Sequence, residues 1–371
     1  MELFRNKTDS WIVTVAASAV MSAYVVAVVP QASAEFPGTP IILGKASVFD
    51  MTSMETGPSF QDYGWLSIMD PNSNAKLQST FSNQNGYAGL PMTGMSLQSM
   101  DPNGIYTHHW DGPAAPMSHN LPPAMPEYHA GNVFHFGWDE PKQAWHWELH
   151  NMDVDADVWF TDTHPGGKYT VSWDGETVHW ASGIAVAKVN GTIKYPGWDH
   201  PIEVHDWVGE QERMWGPDFR LGPGHNGYDY LQGGNPDGSA DNGFVYEQLD
   251  GSVVGMLAHT AADGEVTICA LDSVDYDEWT EFTGAPGQTA PYPYPRVVGV
   301  GCGGMHRTFT VDQPVLFQVV PAAATTTMSF GHTDLPGSIS TIQHFRDDYT
   351  GWPGATLNLF QGLQWPPSLI R

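Results

Sequence analysis

Apolar and polar residues alternate in short runs along most of the chain, and no stretch has the apolar periodicity of an amphipathic helix over three turns. The runs end at Gly, Asp, Asn or Pro, the residues that turns prefer. Short strands at a spacing of about 8–12 residues are typical of an antiparallel sandwich or barrel. The sequence therefore predicts an all-β protein, with strands at 144–149, 169–173, 177–180, 183–189, 253–259, 265–271, 296–300 and 315–320.

Three pairs of turn residues lie between such runs and predict hairpin turns: Asp174-Gly175, Asn190-Gly191 and Asp263-Gly264. Prolines and a Pro-Gly pair cluster around residue 200, where a linker is expected. We therefore expect two β domains, one covering residues 35–200 and the other residues 201–371.

The first 34 residues have the features of a secretory signal peptide. Arg5 and Lys7 precede an apolar run at 11–29, and small residues at 32–34 form an Ala-x-Ala cleavage site. Because the run approaches the length that spans a bilayer, an uncleaved anchor is the alternative. Pro30 and the cleavage site favour removal of the segment, so we expect a protein of the secretory pathway or the extracellular space, without stable membrane anchoring after cleavage.

Secretion gives the two cysteines and one sequon a specific meaning. In an oxidising compartment Cys269 and Cys302 are expected to form a single disulfide, since neither belongs to a Cys-x-x-Cys motif of a metal or redox site. Asn190-Gly191-Thr192 matches the N-glycosylation sequon, which predicts a surface position for Asn190.

Acidic residues outnumber basic ones by 41 to 14, which gives a net charge of −27. This charge excludes a general nucleic-acid binder and disfavours docking on anionic membranes, because both need clustered Lys and Arg. The hydrophobic fraction of 41% is sufficient for a packed core. A neutral, hydrophobic small molecule is the partner that this composition favours.

The run at 146–150 carries the sequence His-Trp-Glu-Leu-His. In a strand, His146, Glu148 and His150 lie on one face and could be three ligands of a metal. No second ligand cluster has convincing spacing, so we interpret this face as the polar side of a half-buried strand and expect neither a metal nor another cofactor. Glycine motifs at 222–227 and 299–304 lack the following helix that a dinucleotide site needs.

Polar residues are densest at 205–216, and five of them are candidate catalytic residues: His205, Asp206, Glu210, Glu212 and Arg213. An arginine among carboxylates can form a buried network that orients an acid for proton transfer. The alternative is a structural crossover that Arg213 ties down.

The same segment resembles a known family. Residues 209–216, with acids and Arg213 before a Trp-Gly pair, resemble the central motif of two-domain lipocalin-like proteins, which include carotenoid 1,2-hydratases, kievitone hydratases and fungal Diels–Alderases. Residues 62–69 resemble the aromatic and acidic entry to the first barrel, and 188–193 resemble its last strand. The likeness extends in layout over most of residues 40–371. The secretory signal and the acidic, Trp-rich chain are most similar to fungal hetero-Diels–Alderases of tropolone–sesquiterpene pathways.

The resemblance implies two lipocalin-like antiparallel barrels and an enzyme that catalyses an intermolecular hetero-Diels–Alder cyclisation of hydrophobic polyketide or terpenoid substrates. Such a reaction needs an apolar pocket with one or two donors, for which Trp65, Trp147 and Trp215 are candidate stacking walls. Three alternatives stay open: a hydratase or isomerase of an isoprenoid or polyketide, a non-enzymatic lipocalin-like carrier, and a carbohydrate-binding β-sandwich.

Overall fold

The computed structural model describes most of the chain from residue 42 onwards. The described ranges are 42–51, 60–84, 92–113, 117–119, 124–150, 153–173, 176–217, 225–248, 251–283, 290–314, 316–319, 324–346 and 363–365. The signal-peptide prediction falls on residues 1–34, outside these ranges. Among the described residues, no helix is long and apolar enough to span a bilayer.

The described strands form two antiparallel sheets, which confirms the all-β, two-part lipocalin-like prediction. The first sheet has 14 of these strands. They are β1 (Ile42–Lys45), β2 (Phe60–Met69), β3 (Lys76–Gln84), β4 (Met92–Met100), β5 (Tyr106–Pro113), β6 (Met117–His119), β7 (Glu127–Ala130), β8 (Phe134–Asp139), β9 (Ala144–Leu149), β10 (Asp155–His164), β11 (Gly167–Trp173), β12 (Glu176–Lys194), β13 (Ile202–Pro217) and β24 (Leu363–Trp365).

The second sheet has 10 strands within the described ranges. They are β14 (His225–Gly234), β15 (Ala240–Gln248), β16 (Val253–Thr260), β17 (Val266–Ala270), β18 (Ser273–Phe282), β19 (Tyr292–Cys302), β20 (Met305–Gln313), β21 (Leu316–Val319), β22 (Ala324–Thr333) and β23 (Ile339–Arg346). A short 3-10 turn, Val48–Met51, packs against the first sheet.

The long strands β12 and β13 are neighbours in the centre of the first sheet, where β13 pairs with β2 on its other side. The domain boundary expected near residue 200 therefore falls between two paired strands of one sheet, and the second sheet begins with β14. The division into domains at that residue stays a prediction.

Strand β13 contributes to two cores because its side chains alternate between its faces. Trp207 belongs to the first core, which also contains Phe160 and Trp147. Val208 and Met214 lie on the opposite face and pack against residues of the second sheet. Side chains on this second face of β13 are therefore buried between the sheets.

Of the three hairpin turns expected from the sequence, one is confirmed, one lies outside the described residues and one is wrong. Asp263-Gly264 joins β16 to β17, with Gly264 at a φ of +81°, whereas Asp174-Gly175 is not described. Asn190-Gly191 lies inside the 19-residue strand β12, at a bulge against β13. The glycine is needed there for close approach, because a Cβ at Gly191 would lie 2.1 Å from the backbone oxygen of Asp157.

The two cysteines pair as the sequence predicts. Cys269 at the end of β17 and Cys302 at the end of β19 form a disulfide, with their Cα atoms 5.7 Å apart. Asn190 is half-buried, and its side-chain oxygen accepts hydrogen bonds from the backbone of Asp206 and from His205. Its glycosylation stays a prediction.

Candidate active site

Two carboxyl groups of β13 lie between the sheets. Glu210 and Glu212 are two residues apart and therefore share a face of the strand. On the neighbouring strand β2, Ser67 is paired with Glu210 and Trp65 with Glu212. The second sheet contributes Tyr230 and Gln232 from β14 and Thr341 from β23. We call Glu210, Glu212 and these five neighbours, together with Trp180 of β12, the inter-sheet site.

The carboxyl group of Glu210 is completely buried. Desolvation raises its pKa from 4.5 to about 8, and the polar side chains of Thr341, Trp65, Ser67 and Gln232 only partly offset this effect. None of these four side chains meets the full geometry of a hydrogen bond to Glu210. Both carboxyl oxygens of Glu210 are therefore without a partner among the described residues. A buried polar group without a partner costs about 1–3 kcal/mol.

Glu212 is a half-buried residue whose carboxyl group lies in desolvated surroundings. Desolvation raises its pKa to about 8; the hydrogen bond from the Trp180 indole lowers the pKa, and the charge of Glu210 raises it. Because the two carboxyl groups influence each other, they titrate as a pair. At neutral pH both are mainly protonated, and a protonated carboxyl group can donate a hydrogen bond or a proton.

Aromatic rings surround this pair. Tyr230 meets Trp65 edge to face at 6.4 Å and Trp180 at 6.2 Å. Its hydroxyl donates to Gln232, whose amide nitrogen lies 3.4 Å from the backbone oxygen of Ala185. Trp180 also belongs to a buried, largely aromatic cluster with Tyr169 and residues of the second sheet. The arrangement combines apolar walls with neutral acids.

Of the residues that the sequence singles out, the structure brings Glu210, Glu212 and Trp65 together. Arg213 lies on the opposite face of β13, where its Nη1 donates to the backbone oxygen of Asp50 at 3.1 Å. Its guanidinium lies 4.4 Å from the ring centre of Trp215, which also stacks on His179 at 5.0 Å.

His205, Asp206 and Trp147 lie elsewhere. The side chains of His205 and Asp206 are 84% and 59% exposed, at a bulge of β13 where Asp206 has a φ of +52°. Five steps along the strand separate His205 from Glu210, a distance of about 16 Å. Trp147 is buried in the first core.

Comparison with known proteins identifies a shared fold. No protein-family model matches the chain, and no curated protein matches it. Among solved structures, a candidate AttH protein from Nitrosomonas europaea has 14% sequence identity and a TM-score of 0.53, over 82% of this chain and 100% of the other. Kievitone hydratase from Nectria haematococca has 12% identity and a TM-score of 0.51, over 78% of this chain and 89% of the other. The chain therefore has the fold of these two proteins.

Proposed function

We propose that the protein is an enzyme of secondary metabolism that joins two hydrophobic polyketide or terpenoid substrates by an intermolecular hetero-Diels–Alder reaction at the inter-sheet site. The observation that carries this proposal is a pair of carboxyl groups with raised pKa values among aromatic rings, the buried Glu210 and the half-buried Glu212. Aromatic rings and neutral acids together suit an apolar substrate that carries a carbonyl group.

A pericyclic reaction needs no nucleophile, because its bonds form in one concerted step between reactants held in register. The rings of Trp65, Trp180 and Tyr230 would hold the two reactants by stacking. The protonated carboxyl of Glu210 would donate a hydrogen bond to the carbonyl oxygen of the heterodiene, which makes that diene more electrophilic. An ionised carboxylate could only accept, so the raised pKa is essential to this role.

The heterodiene of such a reaction can form by loss of water, and the second carboxyl group suits this step. Glu212 would give its proton to the departing hydroxyl group, which leaves as water. The resulting carboxylate would then take up a proton from a ring hydroxyl of the same substrate, which restores the acid. The two acids would thus have different tasks, one in dehydration and one in cyclisation.

A hydratase is the second candidate function. The same carboxyl pair, titrating near neutral pH, could protonate an alkene and direct water to it. Kievitone hydratase has the same fold, and this similarity of fold supports the alternative.

The decisive experiment incubates the purified protein with an ortho-quinone methide precursor and an electron-rich alkene and measures the rate and enantiomeric excess of the adduct by chiral chromatography. We expect a faster reaction and one enriched enantiomer. Racemic product at the uncatalysed rate would contradict the cyclase. Deuterium incorporated from heavy water into an unsaturated substrate would support the hydratase, and tight binding of an unchanged ligand would support a carrier.

Two substitutions at one position separate hydrogen-bond donation from proton transfer. Glu210→Gln keeps a donor of the same shape, whereas Glu210→Leu removes it. For a cyclase we expect less than about a 10-fold loss in the Gln variant and about 10²–10³-fold in the Leu variant. For a hydratase that uses this acid, both variants should lose about 10²–10⁴-fold. Glu203→Gln, at an exposed position of the same strand, is the matched control.

A further inference from the structure

Four adjacent strands of the first sheet place polar residues side by side on their outer face. In direct register, His129 of β7 is paired with His135 of β8, His135 with Glu148 of β9, and Glu148 with Asp157 of β10. His146 of β9 lies one step along the same face, beside Gly137. The alternate residues Trp145, Trp147 and Leu149 point into the first core and separate this face from the core.

We propose that His135, His146 and Glu148 form a Zn²⁺-binding site on this face. Nδ1 of His135 lies 3.0 Å from Oε2 of Glu148, and Nδ1 of His146 lies 3.7 Å from the same oxygen. The three ligand atoms all lie within 4.8 Å of one another. In a tetrahedral zinc site with bonds of about 2.0 Å, ligand atoms are about 3.3 Å apart. The side chains therefore need only small shifts to surround one ion.

A carboxylate hydrogen-bonded to His146 supports this assignment, and a second carboxylate lies near His135. Nε2 of His146 lies 2.7 Å from Oδ1 of Asp157, and Nε2 of His135 lies 3.4 Å from Oε1 of Glu127. The hydrogen bond between Nε2 of His146 and Asp157 orients this ring and leaves the Nδ1 lone pair for the metal, since metal-binding histidines usually donate their other ring N–H to such a partner. Nε2 of His135 has no hydrogen-bond partner among the described residues. His146 also stacks on Trp159 at 4.3 Å, with ring planes 6° apart.

Gly137 has no side chain and thereby leaves space for His135 and Glu127. A Cβ at Gly137 would lie 2.9 Å from Nε2 of His135 and 3.0 Å from Cγ of Glu127. Gly137→Ala therefore changes the position of His135 and Glu127 without removing any ligand.

The types of ligand indicate which metal would bind, and the exposure of the side chains leaves a coordination position for solvent. Two imidazoles and one carboxylate suit Zn²⁺ and its first-row neighbours rather than Mg²⁺ or Ca²⁺, which prefer oxygen ligands. The side chains of His146, His135 and Glu148 are 15%, 24% and 33% exposed, so solvent can reach a fourth position. His150, the third member of the sequence motif, is 52% exposed, and its Nε2 lies 3.8 Å from the other oxygen of Glu148.

Glu127, His129 and His135 form an overlapping group that uses the other nitrogen of His135. His129 and Glu127 are more exposed than His146 and Glu148, at 43% and 38%. The rings of His129 and His135 also stack face to face at 4.4 Å. We therefore assign the ion to the group of His135, His146 and Glu148. Mutation of His146 or of His129 distinguishes the two groups.

The test uses the full chain, without a polyhistidine tag. Calorimetric titration with Zn²⁺ and metal analysis after dialysis should both give one ion per chain. We expect His135→Ala, His146→Ala and Glu148→Gln each to weaken Zn²⁺ binding by more than about 100-fold, and Asp157→Asn or Gly137→Ala by about 10–100-fold. The matched control is His332→Ala, which removes an exposed histidine 2.8 Å from Asp312 of the second sheet and should bind Zn²⁺ as the wild type does.

Cobalt provides an independent readout of geometry. Co²⁺ in place of Zn²⁺ should give the strong visible absorption of a four-coordinate site with nitrogen ligands, and Glu148→Gln should change this spectrum. Absence of stoichiometric Zn²⁺ in wild type would overturn the proposal. So would binding that survives His146→Ala but is lost in His129→Ala. The metal site and the proposed cyclase are tested separately, because neither experiment depends on the other.

Discussion

The buried carboxyl group of Glu210 should make the stability of the protein depend on pH, and one substitution should remove that dependence. The pKa of Glu210 is about 8 in the folded chain, compared with its ordinary value of 4.5. Between these values the folded chain keeps a proton that the unfolded chain has released. Stability from this group is therefore fully present below about pH 4.5, falls as the pH rises, and is lost above about pH 8.

The shift sets an upper limit on the size of this effect. Within the window, each pH unit lowers the free energy of unfolding by at most about 1.4 kcal/mol per group. The interval from 4.5 to about 8 gives a limit of about 5 kcal/mol for Glu210. Glu210→Gln keeps the shape of the side chain but cannot ionise. Its stability relative to wild type should therefore increase steadily from about pH 5 to about pH 8.

Urea unfolding followed by tryptophan fluorescence at several pH values measures this difference, since the slope with urea reports whether the unfolding reaction stays the same. The substitution Glu203→Gln, at an exposed position of the same strand, should give a curve parallel to wild type at every pH. A difference between wild type and Glu210→Gln that does not change with pH would refute the reasoning. It would mean that Glu210 is already ionised in the folded chain at acidic pH.

Three further predictions concern other parts of the fold. Replacing Cys269 and Cys302 with Ser opens a loop of 33 residues and should lower the free energy of unfolding by about 3–4 kcal/mol in urea; an unchanged midpoint would contradict this. Gly191→Ala should lower the free energy of unfolding by about 2 kcal/mol or more, because the added Cβ meets the backbone of β10. The control is Gly197→Ala, at a turn with open space, which measures only the cost of placing a Cβ at a positive φ. Burial lowers the pKa of Lys76 to about 7, although Asp312 opposes this, so stability should rise with pH between about 7 and 10.5 and Lys76→Met should abolish that rise in urea titrations.

The sequence predicts local structure well because alternation is a local property. The run at 144–149 coincides with β9, and period two correctly places His146 and Glu148 on one face of that strand. The Asn-Gly signal at 190–191 misleads, because a glycine required by a neighbouring strand looks the same in sequence as a turn glycine. Only the close approach of β10 to Gly191 distinguishes the two cases.

Residues that meet through the pairing of distant strands could not be predicted from one sequence. Tyr230 and Gln232 reach Glu210 because the second sheet packs on β13, and nothing near residue 230 indicates this. The same limit applies to His135, which joins His146 and Glu148 only through the register of β8 with β9. Conversely, His205 is close to Glu210 in sequence, but a bulge and several strand residues keep it at the surface.

A row of buried polar residues extends the inter-sheet site beyond Glu210. In direct register, Glu210 is followed by Ser67 of β2, Gln78 of β3 and Gln98 of β4, and all four are buried. Three steps between strands make the row about 14 Å long. Gln78 donates to Gln98, but its own oxygen and the Ser67 hydroxyl have no partner among the described residues.

An apolar row at this position would be the more stable choice, because buried polar groups need partners to offset their desolvation. If the inter-sheet site acts as we propose, the row would suit a substrate with several oxygen atoms spread along its length, as in a polyketide, rather than a pure hydrocarbon. Gln78→Leu tests this interpretation. It removes the hydrogen bond to the buried Gln98, so it should lower the free energy of unfolding by about 1–3 kcal/mol. It should also weaken the binding of an oxygenated ligand by about 10-fold or more, since one buried hydrogen bond contributes about 1.5 kcal/mol. A loss of stability without any loss of binding would show that the row serves packing alone.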